Sequence, residues 1–486
     1  MTRRRRPETG QRPVAEGAET AGATTAPRLS PLAQYALLAG PLLSMLDSSI
    51  VNVAVAPIAS EMNATLTIVQ WVSSGYLLAL GTGLALTSNL ARRYGTIRVY
   101  ATGVIAFTAA SLLCGLAPTI DLLIAARVLQ GLAGATLVPL AMGMLMGSGG
   151  ASRDVSPLAG MLLFLGPALG PSLGGLLIGV FGWRSIFFIN IPLGIVAALT
   201  MRAVPRRLAP QGDRGARFDL VGIALLAPGL FGVLFGLDRG ESAGWAHPES
   251  WLPIAIGALL LAGYVLRSIR TPHPALDLRI LRDRDAALSF VLCAAASVAA
   301  WSIIFLLPVF LQAVQGHSAL ATGLAMLPQG ILTGLGAVFG QKLADRFGVR
   351  LVVLGGFVVL VAASLGLLAV DAHTSLWATS LILAARSAAI GLVVTPLLTV
   401  VNRRLTLEEQ ADANTAFNVV QRIGGSLGIG LIAGVFTSTS QTAGPVPALH
   451  EVAVIVTVIA AVAALGSLFL PRTRAAHPVP TPAAGR

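Results

Sequence analysis

Apolar runs recur with little interruption from Ala33 to Leu470, and many reach the roughly 20 residues needed to cross a hydrocarbon core about 30 Å thick. A soluble core has no use for so much apolar chain. Of the 486 residues, 55% are hydrophobic and 11% charged, where soluble domains carry roughly 25% charged residues. Backbone polar groups in lipid must be paired within their own segment, so the runs read as helices and the fold class as an all-α integral membrane protein. Spans are expected near 32–57, 67–86, 98–117, 121–146, 155–180, 185–203, 218–237, 251–268, 286–314, 319–341, 350–370, 375–399, 411–438 and 449–470, about fourteen transmembrane helices in all. Trp71, Trp183, Trp245, Trp251 and Trp377 fall near proposed span ends, where interfacial indoles sit.

The formal net charge of +12 would suggest a nucleic-acid partner in a soluble protein. Here the basic residues gather in alternate connections: Arg92, Arg93 and Arg98; Arg202, Arg206, Arg207, Arg214 and Arg217; Arg267, Arg270, Arg279, Arg282 and Arg284; Lys342, Arg346 and Arg350; Arg403 and Arg404. That asymmetry is the positive-inside signature. It predicts a multi-pass protein of the cell inner (plasma) membrane with both termini cytoplasmic, and no nucleic-acid partner. Arg3 to Arg6 stand far from any apolar run, so residues 1–31 read as a disordered cytoplasmic arm and the first helix as an uncleaved anchor.

An internal echo organises the spans. Leu90-Ala91-Arg92-Arg93-Tyr94-Gly95 follows the second and Leu343-Ala344-Asp345-Arg346-Phe347-Gly348 the tenth, while LIAAR ending at Arg127 returns as LILAAR ending at Arg386. The two pairs have nearly the same offset. Two six-helix bundles in parallel pseudo-repeat are expected, 32–203 and 285–470, with two extra helices inserted in a linker at 204–284 and a cytoplasmic tail at 471–486.

Chemistry-bearing groupings are scarce. The single lysine, Lys342, lies between Gln341 and Leu343, so no phosphate-binding loop is present and no ATP-driven pump is expected within this chain. The six histidines are scattered through loops and the tail without metal-ligand spacing. Cys114 and Cys293 sit inside apolar runs as small fillers, and no Ser-His-Asp or Cys-His grouping stands out. The expectation is no enzyme, no catalytic residues, no metal and no cofactor, with an ion gradient as energy source.

Ionisable groups inside spans are expensive, so each is a functional candidate. At about 1.5 Å of rise per residue, Asp47 lies near mid-bilayer and Arg127 close enough in depth to reach it. Two readings stand: a structural ion pair fixing helix register, or a titrating pair that loads and releases a proton. Arg386 and Arg422 lie about as deep in their own spans, facing either a basic cavity or backbone carbonyls. In the fifth span, Gly166-Pro167-Ala168-Leu169-Gly170-Pro171-Ser172-Leu173-Gly174-Gly175 should kink and pack tightly, as a hinge or seal.

Taken together these segments resemble the major facilitator superfamily, and more narrowly its fourteen-helix drug:proton antiporter branch. LDSSIVNVAVAPI from Leu46 is similar to that branch's first-helix signature, with Asp47 at the acidic position. Arg127-Val128-Leu129-Gln130-Gly131 with Gly134 resembles the fourth-helix motif, whose arginine the family links to proton coupling, and Gly166 to Gly175 resembles the antiporter motif. Agreement extends through WRSIFFINIPLG from Trp183, LPVFLQAVQGHSALATGLAMLPQG from Leu307 and QRIGGSLG from Gln421.

The cytoplasmic gating loops depart from the pattern in one place. The first, with Arg92, Arg93 and Gly95, has Ser88 for the usual glycine and Arg92 for the usual aspartate, whereas the second keeps Asp345, Arg346 and Gly348.

The resemblance implies proton-coupled efflux of small, largely apolar compounds (drugs, dyes, antibiotics or secondary metabolites) by alternating access. Asp47 would exchange the proton and Arg127 tune it. Gly166, Pro167, Gly170, Pro171, Gly174 and Gly175 would support closure, with Asn52, Gln130, Gln312, Asn418 and Arg386 along the substrate path. Expected partners are the bilayer, protons and a small molecule, with the chain monomeric. A same-fold importer or uniporter, and a non-transporting sensor or scaffold, are the alternatives.

Overall fold

The computed structural model describes residues 30–147, 170–205, 219–243, 247–271, 274, 278–403, 405 and 407–472. Residues 1–29 of the expected N-terminal arm, Gly166, Pro167, Arg206, Arg207, Arg214, Arg217, Trp245, Arg404 and the tail from residue 473 lie outside the described residues, while Ser30 and Pro31, expected in the arm, belong to the start of the first helix. The regular structure described is helical: α1 Pro31–Ile50, α2 Val55–Glu61, α3 Leu66–Tyr94, α4 Thr96–Leu116, α5 Ile120–Gly134, α6 Leu137–Gly147, α7 Gly170–Phe181, α8 Ser185–Phe188 and α9 Asn190–Thr200. There follow α10 Leu220–Ala243, α11 Pro248–Arg270, α12 Arg284–Ala313, α13 Ala319–Phe347, α14 Val349–Gly366, α15 Leu376–Asn402, α16 Leu407–Ala443 and α17 Pro445–Ser467.

Local chemistry sets the helix ends. Ser30 caps α1, accepting from the Ala33 N–H with Pro31 at the first helical position, and Ser318 and Asp283 cap α13 and α12 in the same way. Gly95 (φ 89°, ψ 138°) turns α3 into α4, and Gly348 (φ 90°, ψ 148°) turns α13 into α14 with nearly the same geometry. Only glycine adopts that backbone conformation without strain, which is why both echoed hexapeptides end on it.

Prolines interrupt the long apolar runs, and polar side chains repair the breaks. A proline lacks the N–H that would bond the carbonyl four residues earlier. Pro41 frees the Leu37 carbonyl, which accepts from Tyr100 Oη at 2.8 Å. Pro57 frees the Val53 carbonyl, which accepts from Gln312 Nε2 at 3.0 Å. Pro139 frees the Ala135 carbonyl, which accepts from Thr87 Oγ1 at 3.3 Å. Two expected spans are accordingly bent: 32–57 passes through a 3-10 turn at Val51–Val53, and 121–146 breaks between α5 and α6.

Among the described residues eleven helices are long and apolar enough to cross a membrane. Three more helices lie over expected spans: α3 over 67–86, burying Gln70, Ser73, Ser74, Thr82, Thr87 and Asn89; α7 over the described part of 155–180, whose residues 155–169 lie outside the described residues; and α10 over 218–237, with an apolar stretch at Leu220–Val233. The outer surface is apolar, with Leu259, Leu381 and Trp377 among the most exposed side chains, as lipid contact requires.

Packing pairs α13 with α15, α14 with α15, α3 with α5 and α12 with α16, while α10 and α11 lie against each other and reach the rest through α10 on α3 and α16. Helices α1–α9 meet α12–α17 along α3 and α16, where Ser426 Oγ donates to the Ser74 carbonyl at 2.8 Å and Gly81 packs on Arg422 and Val419, and also where Gln312 reaches Val53 and where α7 presses on α13. Val53 and Ser74 belong to the end of the bundle opposite Gly95, and the α13 contact lies at the opposite end of that helix from Gly348.

Candidate functional site

Asp47 and Arg127 meet in the interior, with Asp47 Oδ2 2.5 Å from Arg127 Nη1 and both side chains almost wholly excluded from solvent. Gln130 Nε2 and Asn190 Nδ2 donate to Asp47 Oδ1 at 3.0 and 2.9 Å. Arg127 also donates to the Val72 carbonyl through Nε (2.9 Å) and to Gln130 Oε1 through Nη1 (2.8 Å), and its guanidinium lies 4.0 Å from the Tyr76 ring centre. Three elements, α1, α5 and α9, are thus joined through one carboxylate, and the Arg127 guanidinium adds α3. Charge-assisted hydrogen bonds of this kind are about twice as strong as neutral ones. Only Asp47 and Asp219 are buried carboxylates among the described residues, and Asp219 sits at the start of α10, paired with Arg267 at 2.8 Å.

Beside this cluster lies a cavity of about 270 Å³ between α1, α7, α12, α13, α15 and α16. The α1 wall is Met45, Ser48, Ser49 and Asn52, the spacing that puts side chains on one helix face. The opposite wall carries Trp301, Gln329, Arg386, Gln421 and Arg422. Of the residues expected along a substrate path, Asn52 and Arg386 line this cavity. Asp47, Arg127 and Gln130 do not: they occupy the other side of α1, and the Gln130 side chain is engaged with the ion pair. Gln312 ties α12 to α1 at the break made by Pro57, and Asn418 is exposed, donating to the Asn414 carbonyl at 2.8 Å.

Helix α7 forms a wedge between α1 and α13. A β-carbon on Gly170 or Gly174 would collide with Ser49 or Ile50 of α1, and one on Gly175 with the Ala319 carbonyl of α13. Gly323 of α13 returns the contact, packing on the Pro171 carbonyl, so the helices touch backbone to backbone.

Comparison with known proteins decides the family. The profile of the Major Facilitator Superfamily matches residues 37–429. The chain belongs to the Major Facilitator Superfamily. It is 34% identical over 403 residues to the multidrug resistance protein B homolog of Mycobacterium tuberculosis (strain ATCC 25618 / H37Rv), covering 82% of this chain and 74% of that protein. It is 29% identical over 410 residues to the methylenomycin A resistance protein of Streptomyces coelicolor, covering 84% and 86%. The crystal structure of the POT family transporter PepTSo superposes with a TM-score of 0.65 at 14% identity, covering 91% of this chain and 98% of that one, a likeness of fold. The superfamily and these relatives are membrane transporters, not enzymes, and this chain is a multi-pass membrane protein.

In this superfamily member Arg92, Asp345 and Arg346 of the two loop motifs are exposed, while Gly95 and Gly348 are buried. Arg92 donates through Nη2 to Asn89 Oδ1 at 2.6 Å, and Asp345 accepts from Gln341 at 3.1 Å. Arg93 lies over Tyr94 and Arg346 over Phe347, with ring-centre distances of 5.7 and 5.1 Å. Sequence reasoning passed over Asn190, whose amide bridges Asp47 and Ser111 Oγ (2.9 Å), although an amide inside the apolar run FFINIPLG also needs a hydrogen-bond partner. It also passed over Glu61, which accepts from Trp183 Nε1 at 2.9 Å and pairs with Arg184.

Proposed function

We propose that the protein is a proton-coupled efflux transporter of small, largely apolar compounds, cycling by alternating access in the inner membrane with both termini cytoplasmic. The observation that carries this reading is the buried Asp47–Arg127 pair directly behind the cavity wall of α1. Opposite charges about 4 Å apart attract by roughly 4 kcal/mol at an effective dielectric of about 20. Alternating conformations differ by only a few kcal/mol. A proton arriving at Asp47 cancels that attraction and leaves Arg127 held by Val72 and Gln130 alone. Helix α1 then moves against α5 and α9, and its Ser48–Asn52 face reshapes the cavity.

The resistance functions in the names of the relatives support export as the direction. The matching turns at Gly95 and Gly348 support two bundles, 32–203 and 285–470, related by a parallel repeat, with α10 and α11 in the linker between them. Counting α3, the α7 region and α10 as crossings gives fourteen, which keeps both termini on the side of the basic loops. On that orientation the ties at Val53, Ser74 and α7–α13 close the outer side. The energy source is the proton gradient with no further cofactor, and the working unit is the monomer.

A uniporter of the same fold is the second reading, favoured by how completely Asp47 is hydrogen-bonded, which a structural ion pair also requires. The test is a susceptibility panel in a strain stripped of its own pumps, followed by everted vesicles with an acid interior. A compound to which the chain confers resistance should collapse the pH gradient with wild type and leave it intact with Asp47→Asn. Flux of that compound with no proton movement by wild type removes the coupling.

A further inference from the structure

We infer that the central cavity is an anion site and that the compounds it carries are compact organic anions with an apolar body, carboxylates foremost. The proposal rests on the transport reading above for the existence of a passenger, but not on proton coupling.

The charge inventory of the cavity wall is one-sided. Arg386 of α15 and Arg422 of α16 both line it, and no carboxylate does. Neither arginine pairs with an acid among the described residues. Arg386 is 3% exposed, and its guanidinium is held by two neutral acceptors, Ser364 Oγ through Nη1 and the Ala299 carbonyl through Nη2 at 2.8 Å. Those contacts orient the group without neutralising it and leave donors of the five-donor fork unspent. Arg422 lies 5.7 Å from the Trp301 ring centre, a cation resting against an aromatic wall of the same cavity. The nearby negative charge, Asp47, lies behind α1 and is already paired with Arg127. A planar guanidinium at mid-bilayer depth is costly to maintain and suits bidentate capture of a carboxylate.

A second, independent group points the same way. Gln329 of α13 is 7% exposed, lines the cavity, and its Oε1 has no hydrogen-bond partner among the described residues. It supplies an acceptor for a hydroxyl or amide N–H carried by the passenger. Trp301, Ile304, Leu383 and Ile390 offer the apolar surface. The volume of about 270 Å³ lies just under the roughly 300–1,000 Å³ of pockets for drug-sized ligands, which favours one or two rings over a large amphiphile.

The test uses the full chain in lipid nanodiscs with no gradient, titrated calorimetrically at neutral pH with three probes sharing one body: 2-naphthoate, 2-naphthamide and 2-naphthylmethylammonium. Empty nanodiscs give the baseline for partitioning. Saturable binding of 2-naphthoate is expected, about tenfold or more tighter than the amide, with the ammonium weakest. Arg422→Gln should weaken 2-naphthoate about tenfold or more while leaving the amide within about threefold. Arg386→Gln should do the same, and because this side chain also braces Ser364 and Ala299, its thermal unfolding is measured alongside and Arg386→Lys is included as a charge-retaining control. Equal or tighter binding of the ammonium, no saturable binding of 2-naphthoate, or an Arg422→Gln protein with unchanged preference overturns the proposal. Binding that survives while vesicle assays show no proton flux overturns the coupling and leaves the anion site standing.

Discussion

Asp47 and Ser48 are adjacent on α1 yet face different surroundings: Ser48 lines the cavity, while Asp47 is fully buried behind it against Arg127. One residue of an α-helix is about 100° of rotation, so the proposed proton site and the proposed passenger site share a helix without sharing a space. Binding and transport should therefore separate in Asp47→Asn. Uphill transport in vesicles is expected to fall more than about tenfold, while equilibrium affinity for the transported compound changes less than about threefold. Parallel losses in both would place Asp47 in contact with the passenger.

The ion pair should also be visible in stability. Removing one partner of a buried pair costs about 3–5 kcal/mol, because the other charge is left uncompensated. Arg127→Gln alone leaves Asp47 to Gln130 and Asn190 and should lower the unfolding temperature in detergent markedly. The double variant Asp47→Asn/Arg127→Gln removes both charges and should recover most of that loss. Simple additivity of the two single changes would mean that each residue has another partner.

Much of the architecture is legible in hydropathy alone, because lipid forces length and apolarity on each crossing. Rise per residue set Asp47 and Arg127 at one depth, and they touch. Rise carries no information on rotation about the helix axis, so Gln130, Gln312 and Asn418 looked like cavity residues and are engaged elsewhere. The bend at Val51–Val53 is written in Pro57, four residues after the carbonyl it frees. That Gln312 repairs it could not be read, since the two are brought together only by the packing of α12 on α1 and α2.

Gly175 has no room for a side chain against the Ala319 carbonyl, so Gly175→Val must push α7 away from α13. Overpacking of this kind costs about 1–3 kcal/mol, and here it falls on the state in which the two helices touch. Transport should drop at least about tenfold. A Ser48→Cys reporter in the cavity should become reactive to an impermeant maleimide added on the Glu61 side. Cys114 and Cys293 are buried and provide a quiet background. Unchanged labelling would show that α7 is not part of the closure.

Gln312 makes the same closure testable through a single hydrogen bond. The Val53 carbonyl belongs to a fully buried residue, and Pro57 cannot donate to it, so Gln312 Nε2 is its partner at 3.0 Å. Gln312→Leu leaves that carbonyl unpaired at a cost of about 1–3 kcal/mol, charged only to the conformation in which α12 lies against α1. The population should move toward the form open on the Glu61 side, read as faster labelling of the Ser48→Cys reporter and weaker retention of substrate. Adding Pro57→Ala restores an N–H four residues after Val53, and so gives the carbonyl a partner within its own helix. The double variant should label more slowly than Gln312→Leu alone. If Pro57→Ala brings no recovery, the loss in Gln312→Leu comes from side-chain packing, and the repair of the proline break is not what holds the Glu61 side closed.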